Sequence, residues 1–203
     1  MTRRQSAVHW SISKISRDER WDALSSRGAT VWLTGLSGSG KSSIAKHMEA
    51  DLVEEGRAAY VLDGDNLRHG VNEDLGFSRE DRAENARRAA EIAKLFADSG
   101  AVALVALISP YAVDRARARQ LHEEAGLPFI EVYVATSLSE CEARDPKGLY
   151  AAARAGEVTD FTMVSDPYEI PEQPDFVVST AGSSIDDAAH AVLGVLRERL
   201  AGA

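Results

Sequence analysis

The sequence predicts an α/β fold in which a parallel five-stranded sheet carries helices on both faces. Short apolar segments alternate with helical patterns along the chain, which is typical of parallel strands joined by right-handed crossovers. Residues 101–108 are almost entirely apolar, as expected of a strand that is buried on both faces. A glycine-rich loop at 35–42 follows the first apolar segment. Together these features predict a P-loop NTPase or kinase fold, with a lid segment described below.

Length and composition restrict the alternatives. The chain has 203 residues and a net charge of −9, which fits one domain and disfavours nucleic acid as the main partner. No apolar run approaches the roughly 20 residues that span a bilayer. No apolar segment of signal-peptide length follows the basic start of the chain, so we expect no membrane partner and a cytoplasmic protein. Cys141 is the only cysteine, and we expect it to be a small buried residue.

The elements follow in order. Residues 1–28 form an expected N-terminal arm with a short helix near 17–26, and its Trp10 and Trp21 suggest that it docks on another surface. Residues 29–203 form the expected single P-loop kinase domain. Periodicity predicts strands at 29–34, 58–62, 101–108, 129–134 and 176–178, and helices at 43–55, 79–99, 111–124 and 185–200. Between 144 and 174 the periodicity stops, and we interpret this stretch as a lid rather than a disordered insert.

Residues 35–42, of sequence GLSGSGKS, match the pattern GxxxxGK[ST]. The glycines allow backbone N–H groups to surround a polyphosphate, while Lys41 can reach the outer phosphates and the Ser42 hydroxyl can hold Mg²⁺. The following helix would point the positive end of its dipole at the same anion. An ordinary glycine-rich turn is the alternative, but the predicted strand before the loop and the helix after it favour a phosphate site.

Asp63 and Asp65 lie at the predicted end of the second strand, where open α/β sheets bind their ligands. If the strand continues, the two carboxylates share one face and point at the phosphate loop. A carboxylate there can orient Mg²⁺ or accept a proton from an attacking hydroxyl, whereas the alternative is a simple Asp-Gly turn. We assign Asp63 to the metal because it continues the strand, and Asp65 to the acceptor because Gly64 lets the chain bend.

Cations and a serine lie near these acids. Arg68 falls in a predicted loop beside them and is the preferred ligand for an anion. Arg87 and Arg88 lie in a predicted helix, and we expect them to be solvated or to form ion pairs. Ser109 follows the buried third strand and precedes Pro110. It could bond the substrate, carry a phosphoryl group, or simply start a turn.

Several segments together resemble the adenylylsulfate kinases. They are residues 30–38 (TVWLTGLSG), 62–70 (LDGDNLRHG), 74–78 (DLGFS), 81–85 (DRAEN), 108–111 (ISPY), 144–150 (RDPKGLY) and 155–157 (AGE). The resemblance extends from Val8 to Pro171. It implies ATP-dependent phosphorylation of the 3′-hydroxyl of adenosine 5′-phosphosulfate, giving 3′-phosphoadenosine 5′-phosphosulfate in sulfate assimilation. It also implies the cofactors ATP and Mg²⁺ and a homodimer with Trp10 as a contact, and it leaves open an association with an ATP sulfurylase.

Carried over residue by residue, the resemblance implies overlapping groups of site residues. ATP would be held by Gly35, Gly38, Ser39, Gly40, Lys41, Ser42, Ser43 and Arg144. The acceptor would be held by Asp65, Asn66, Arg68, Phe77, Arg82, Asn85, Ile108, Ser109, Lys147 and Phe161, with its adenine between the two phenylalanines. Catalysis would depend on Lys41, Asp65 and Ser109, and Mg²⁺ would bind Ser42 and Asp63. The family's serine equivalent to Ser109 has been described as a phosphoserine intermediate, and direct transfer fits equally well.

The chain departs from the family pattern mainly in the lid. Residues 163–165 read Met-Val-Ser where the family usually has Gly-Ile-Asp, and Ala112 and Ala135 stand where polar residues are common. We expect these differences to affect lid closure or ATP affinity. Other readings are a different small-molecule P-loop kinase, which would lack the segments at 62–70 and 74–78, and a nucleotide-binding regulatory module with reduced activity.

Overall fold

The computed structural model describes residue 9, residues 11–158 and residues 161–202. Trp10 lies outside these residues, and so does its expected contact. The elements in chain order are α1 (Arg17–Leu24), β1 (Ala29–Thr34), α2 (Lys41–Glu54), β2 (Ala59–Asp63), α3 (Gly64–Leu67), α4 (Arg79–Ser99), β3 (Val102–Ala106), α5 (Ala112–Glu124), β4 (Phe129–Val134), α6 (Leu138–Arg144), α7 (Leu149–Arg154), β5 (Phe176–Val178) and α8 (Ile185–Ala201).

The strands form one five-stranded sheet in the order β2-β3-β1-β4-β5, and every neighbouring pair is parallel. This confirms the predicted fold. Because parallel strands all end at the same edge, the segments that follow β1, β2, β3, β4 and β5 are gathered along one side of the sheet. The central strand β1 is buried along its whole length, and it leads directly into the glycine-rich loop.

Helices cover both faces of the sheet, as predicted. Successive side chains of a strand point to opposite faces, so Val31 and Leu33 pack with α2 and α8 while Trp32 packs with α4 and α5. The surface that α4 turns toward the sheet is made of alanines, including Ala86, Ala89 and Ala93. Small side chains there allow the helix backbone to lie close to the strands.

Capping residues explain why the predicted helix boundaries hold. Ser78 accepts a hydrogen bond from the backbone N–H of Asp81 at the start of α4, and Gly100 ends that helix with a φ of 101°. Such N-cap and left-handed C-cap positions are readable from the sequence. The predicted arm helix is also present as α1, and it docks on the end of α4, where the Trp21 Nε1–H donates to the Asp98 carbonyl at 3.1 Å.

The stretch from 144 to 174 is more ordered than its sequence pattern indicates. It contains α7 and supplies most of a third apolar cluster, made of Leu36, Cys141, Tyr150, Ala153, Phe161 and Tyr168. The loss of periodicity therefore does not mean that this stretch lacks a core face. Its apolar residues follow no helical or strand period, because the cluster is assembled from the phosphate loop, α6, α7 and the chain beyond 161. Cys141 is fully buried, as expected.

Within the described part of the chain, no helix has both the length and the hydropathy needed to cross a membrane.

Candidate active site

A cavity of about 590 Å³ opens at the carboxyl edge of the sheet. It brings together most of the site residues expected from the sequence, namely Gly38, Gly40, Lys41, Ser42, Ser43, Asp63, Asp65, Arg68, Phe77, Arg82, Asn85, Ile108, Ser109, Arg144, Lys147 and Phe161. Three expected residues do not line it. Gly35 and Ser39 are buried residues of the loop itself, and Asn66 is exposed outside the cavity.

The glycines of the loop are required by its backbone. Gly38 and Gly40 have φ angles of 74° and 104°, which L side chains rarely adopt. A Cβ on Gly40 would lie 2.8 Å from the Cγ2 of Thr180. Gly40 precedes α2 and supplies no side-chain cap, so the N–H groups of the first turn of α2 can point at an anion in the cavity.

Lys41 is buried within the loop. Its Nζ donates to the carbonyl oxygens of Gly35 at 2.9 Å and Leu36 at 2.7 Å. Burial lowers the pKa of Lys41 to about 8. A polyphosphate bound in the loop would favour the charged ammonium and raise that pKa again.

Ser42 and Asp63 link the loop to the end of β2. The Ser42 hydroxyl donates to Oδ2 of Asp63 at 2.5 Å, and Oδ1 of Asp63 accepts the backbone N–H of Asp65 at 2.9 Å. Oxygen ligands of this kind suit Mg²⁺. Within the described residues no group of three or more His, Cys, Asp or Glu side chains could hold a metal ion. A Mg²⁺ held here would therefore rely on phosphate oxygens and water for its remaining ligands, which is its usual behaviour in kinases.

Asp65 differs from Asp63 in its surroundings. Strand β2 ends at Asp63, and the chain then turns into α3, so the two carboxylates do not share one strand face and that expectation is wrong. The turn begins there because Asp63 caps α3 with its own side chain. Asp65 is 64% exposed and pairs with Lys147 from the connection between α6 and α7. This ion pair joins the predicted lid to the end of β2.

Arg68 and Phe77 form one wall of the cavity. The Nη1 of Arg68 donates to the carbonyls of Leu75 at 2.9 Å and Gly76 at 2.7 Å. Its guanidinium carbon lies 4.3 Å from the centroid of the Phe77 ring. Arg68 therefore supports the loop that carries Phe77, besides bringing charge to the cavity. Phe77 remains 57% exposed, so much of its side chain is accessible.

Three further cavity-lining side chains are held in place by contacts, two on α4 and one in the lid. Arg82 donates through Nε to the Phe77 carbonyl at 2.9 Å, and Asn85 accepts from the buried Asn72 at 2.9 Å. The Phe161 ring is nearly buried and meets Tyr150 edge to face, with centroids 4.9 Å apart.

The two arginines assigned to ion pairs make them. Arg87 contacts Glu84 at 2.7 Å, and Arg88 contacts Glu84 at 2.8 Å and Asp74 at 2.6 Å. Neither lines the cavity, so the expectation for both residues is confirmed.

Two buried threonines that the sequence analysis did not identify support the loop from beneath. The hydroxyls of Thr136 and Thr180 donate to the Ser39 carbonyl at 3.0 Å and 2.9 Å. Thr180 also accepts from Nη1 of Arg144 at 2.7 Å, which fixes that arginine beside the phosphate loop. The sequence contained a usable signal, because each threonine lies two residues after the end of a predicted strand, the fourth or the fifth, at the edge where the other site residues lie.

The C-terminal end of the lid is tied to the start of α5. The Tyr111 hydroxyl donates to Asp166 at 2.7 Å, and the backbone N–H of Ala112 donates to the Glu169 carboxylate at 2.7 Å. Just before this anchor, Met163 has a φ of 69°. The departure from the family's usual glycine therefore falls at a left-handed position, where glycine is favoured.

Ser109 lies beyond the end of β3 and lines the same cavity. It is nearly buried, its φ is 39°, and its Oγ accepts a hydrogen bond from Nε1 of Trp32 at 3.1 Å. The preceding carbonyl, of Ile108, accepts from the Thr34 hydroxyl at 2.7 Å. Ser109 is thus held against the central strand of the sheet.

Residues 27–179 match the family model described as adenylylsulphate kinase. The chain is 58% identical over 170 residues to the bifunctional enzyme CysN/CysC of Mycobacterium tuberculosis (strain CDC 1551 / Oshkosh), and the match covers 84% of this chain. The chain spans only 28% of the length of that relative. It is 48% identical over 189 residues to the adenylyl-sulfate kinase of Clostridium kluyveri, covering 93% of this chain and 94% of the relative.

A solved structure of the Mycobacterium tuberculosis APS kinase CysC, in complex with AMPPNP and APS, is similar with a TM-score of 0.83 and 56% identity. The match covers 85% of this chain and 99% of that one. The fold, the phosphate loop and these matches lead to one conclusion: the chain belongs to the adenylylsulphate kinase family and has its α/β P-loop fold.

Proposed function

We propose that this protein catalyses ATP-dependent phosphorylation of the 3′-hydroxyl of adenosine 5′-phosphosulfate, giving 3′-phosphoadenosine 5′-phosphosulfate for sulfate assimilation. One observation carries the proposal: a single cavity joins the phosphate loop to a second region with cationic and aromatic side chains, Arg68, Phe77 and Phe161. A kinase needs its donor phosphate and its acceptor side by side, in line for transfer. The similar Mycobacterium protein is described with a nucleotide and APS together, which supports this assignment.

ATP binds along the loop. Its phosphates accept hydrogen bonds from the backbone around Gly38 and Gly40 and from the Ser43 region at the start of α2. Lys41 supplies the charge that the transferring phosphoryl group needs, and Arg144, fixed by Thr180, adds a second cation on the lid side. Gly35 and Ser39 contribute by shaping the loop rather than by lining the cavity.

Adenosine 5′-phosphosulfate binds in the second region. Its planar adenine stacks between Phe77 and Phe161, whose rings both line the cavity. Arg68, Arg82, Asn85 and Lys147 recognise its anionic and polar groups. Asn66 is exposed outside the cavity, so a contact from it would require movement of α3.

The two acids have separate roles. Ser42 and Asp63 would hold Mg²⁺, which would offset the charge of the phosphates. Asp65 lies closer to the solvent-exposed mouth, where it accepts the proton of the attacking 3′-hydroxyl. Lys147 must release Asp65 before that step, because the 3′-hydroxyl has to reach the carboxylate that Lys147 contacts.

The proposal is tested by coupling ADP release to an indicator reaction. The wild-type protein should turn over with adenosine 5′-phosphosulfate and not with adenosine 5′-monophosphate or with simple sugars. Lys41→Ala should remove most turnover while leaving the melting temperature close to that of wild type, since Lys41 belongs to the loop and not to the core. Nucleotide binding without turnover would indicate a regulatory module instead. Equal turnover with other acceptors would indicate a different small-molecule kinase.

We further propose the organisation expected from the sequence: an N-terminal arm at 1–28, one kinase domain at 29–203, and a lid at about 144–174. The docking of α1 through Arg17 and Trp21 onto Asp98 supports the arm, and the ion pair between Lys147 and Asp65 supports the lid. A cytoplasmic homodimer, with or without a sulfurylase partner, completes the proposal. Light scattering of the purified protein, alone and mixed with an ATP sulfurylase, tests the assembly.

A further inference from the structure

Trp32 and Ser109 form a hydrogen-bonded pair in the wall of the cavity. Trp32 belongs to the central strand and is fully buried, with its ring packed beside Phe129 at a centroid distance of 5.9 Å. Its Nε1–H donates to Ser109 Oγ at 3.1 Å. Ser109 lines the cavity, so this pair connects the sheet interior to the place where the acceptor binds.

The backbone of Ser109 is fixed on both sides. Its φ of 39° lies in the left-handed region, which a residue other than glycine keeps only when its surroundings impose it. The Thr34 hydroxyl holds the Ile108 carbonyl at 2.7 Å, and Nη1 of the buried Arg115 holds the Ser109 carbonyl at 2.8 Å. Arg115 is itself paired with Glu131 at 2.9 Å. The rotation of the Ser109 side chain is then the main remaining freedom.

The Trp32 contact sets the direction of the hydrogen bonding. An indole N–H can only donate, whereas a hydroxyl carries one donor and two acceptor lone pairs. Since Ser109 Oγ accepts from Trp32, its own hydrogen points elsewhere. Among the described residues Trp32 is the only side chain that hydrogen-bonds to this Oγ. Within the described part of the chain, no side-chain base is hydrogen-bonded to this Oγ, as a serine nucleophile would require.

We propose that Trp32 is a positioning residue for the transfer reaction: its indole N–H holds Ser109 so that the serine hydroxyl donates a hydrogen bond to the acceptor nucleotide. The inference rests on the proposed function and adds a role for a core residue to it. Ser109 then acts as a hydrogen-bond donor that orients the acceptor, and the phosphoryl group passes directly from ATP to the acceptor.

A double-mutant cycle tests this role. Ser109→Ala and Trp32→Phe should each lower kcat/KM for adenosine 5′-phosphosulfate by about three- to tenfold, the effect of one neutral hydrogen bond, while KM for ATP stays within about twofold. In the Ser109→Ala background, Trp32→Phe should cause no further loss, because Trp32 acts through the serine. Losses that multiply in the double variant would overturn the inference. Complete loss of turnover in a folded Ser109→Ala protein that binds both nucleotides would also overturn it, in favour of a phosphoserine route.

Two control variants separate positioning from packing. Phe129→Leu loosens the packing of the Trp32 ring without removing the indole N–H, and Trp21→Phe removes an indole hydrogen bond far from the cavity. Both should lower stability, and neither should change kcat/KM for the acceptor. A loss with Phe129→Leu equal to that with Trp32→Phe would mean that Trp32 serves packing alone.

A spectroscopic readout tests the hydrogen bond without altering Trp32. The chain contains three tryptophans, so a Trp10→Phe, Trp21→Phe background leaves Trp32 as the sole indole. The indole N–H vibrational band, measured by ultraviolet resonance Raman, should shift toward that of a weaker hydrogen bond when Ser109→Ala is added. An unchanged band would refute the contact. If wild type fails to use adenosine 5′-phosphosulfate, the proposed function fails; if wild type turns over and the cycle is multiplicative, only the inference fails.

Discussion

The hydroxyl of Ser42 lies 2.5 Å from Oδ2 of Asp63, and this contact joins the start of the phosphate-loop helix to the end of β2. Asp63 is nearly buried and also caps α3. Asp65, two residues later, is mostly exposed and pairs with Lys147. A rigid buried acid beside a serine hydroxyl suits a metal, whereas an exposed acid on a movable ion pair suits a reacting substrate.

Substitution of each acid should therefore give a different response to Mg²⁺. Asp63→Asn should raise the Mg²⁺ concentration needed for half-maximal rate, because one negative charge facing the cation is lost. Asp65→Asn should lower turnover at saturating Mg²⁺ by roughly 10²–10⁴-fold, as for a lost proton acceptor. Initial rates over a Mg²⁺ titration of both variants provide the measurement. A raised Mg²⁺ requirement in Asp65→Asn, with none in Asp63→Asn, would show that the two roles are reversed.

Binding of ATP should be accompanied by uptake of protons at Lys41. Burial lowers the pKa of Lys41 to about 8, and bound phosphates raise it again, so at about pH 8 roughly half a proton should be taken up. Below about pH 7 the lysine is already charged and contributes little. Calorimetry in buffers with different ionisation enthalpies measures the number of protons taken up when ATP binds. In Lys41→Met, this proton uptake should no longer rise with pH. Uptake that does not change between about pH 7 and pH 9 would contradict the prediction.

Arg68→Ala and Phe77→Ala should weaken the acceptor and spare ATP, with different dependence on salt. Loss of Phe77 removes stacking area worth about 1–3 kcal/mol, which ionic strength hardly affects. Loss of Arg68 removes a charge contact that salt screens. Loss of Arg68 also removes its hydrogen bonds to the Leu75 and Gly76 carbonyls, which support the loop that carries Phe77. Arg68→Ala should therefore weaken acceptor binding more than Phe77→Ala does.

Affinities for both nucleotides at low and high salt test this comparison. Phe77→Tyr, which keeps the ring, serves as the matched control and should bind the acceptor nearly as wild type does. Equal losses of ATP and acceptor affinity in the two alanine variants would place Arg68 and Phe77 outside the acceptor region.

Met163→Gly should stabilise the lid turn. Met163 has a φ of 69° and is 40% exposed, so glycine relieves a backbone penalty of about 1–2 kcal/mol while little burial is lost. Part of this gain is offset by the greater entropy of glycine in the unfolded chain. Hydrogen exchange at residues 161–166 should slow in Met163→Gly and not in Met163→Ala, which keeps the strain. Faster exchange in the glycine variant would show that the methionine side chain holds the turn.

Stability should fall at acidic pH through His122. This histidine is fully buried between the Thr30 hydroxyl, 2.9 Å from Nε2, and the Ala118 carbonyl, 2.8 Å from Nδ1. Burial lowers its pKa, so below pH 6.5 the unfolded chain binds a proton that the folded protein excludes. The free energy of unfolding should then decrease by at most about 1.4 kcal/mol per pH unit. This loss of stability is absent well above the pKa of His122 in the unfolded chain. It grows as the pH falls toward the lower pKa of His122 in the folded protein.

Urea denaturation at about pH 7.5 and pH 5.5 checks this expectation. His122→Gln should be less stable than wild type at the higher pH but should lose less on acidification. The exposed His69→Gln serves as the control and should follow wild type. Charges facing His122 include Lys94 and Glu91, and they are present in all three proteins, so they do not affect the comparison. An equal loss in wild type and His122→Gln would remove His122 as the cause.

Much of the fold was accessible from local patterns. The periods of 3.6 and 2 residues identified α2, α4, α5, α8 and the five strands, because each of these elements buries one regular face or both. The short helices α3, α6 and α7 were missed, since helices of four, seven and six residues offer too little pattern. The core face of the lid was missed for a related reason: Tyr150, Phe161 and Tyr168 are far apart in sequence and meet only on Leu36 and Cys141.

Residue type and local spacing were enough to predict the phosphate loop, the order of strands and helices along the chain, and the acids and cations at the strand ends. Three relationships became visible only in the folded chain: Asp63 and Asp65 have different surroundings, Arg68 supports Phe77, and Trp32 holds Ser109. Hydrogen bonds between residues 77 positions apart, such as the last, depend on which strands become neighbours and on the register between them, and no local pattern encodes either.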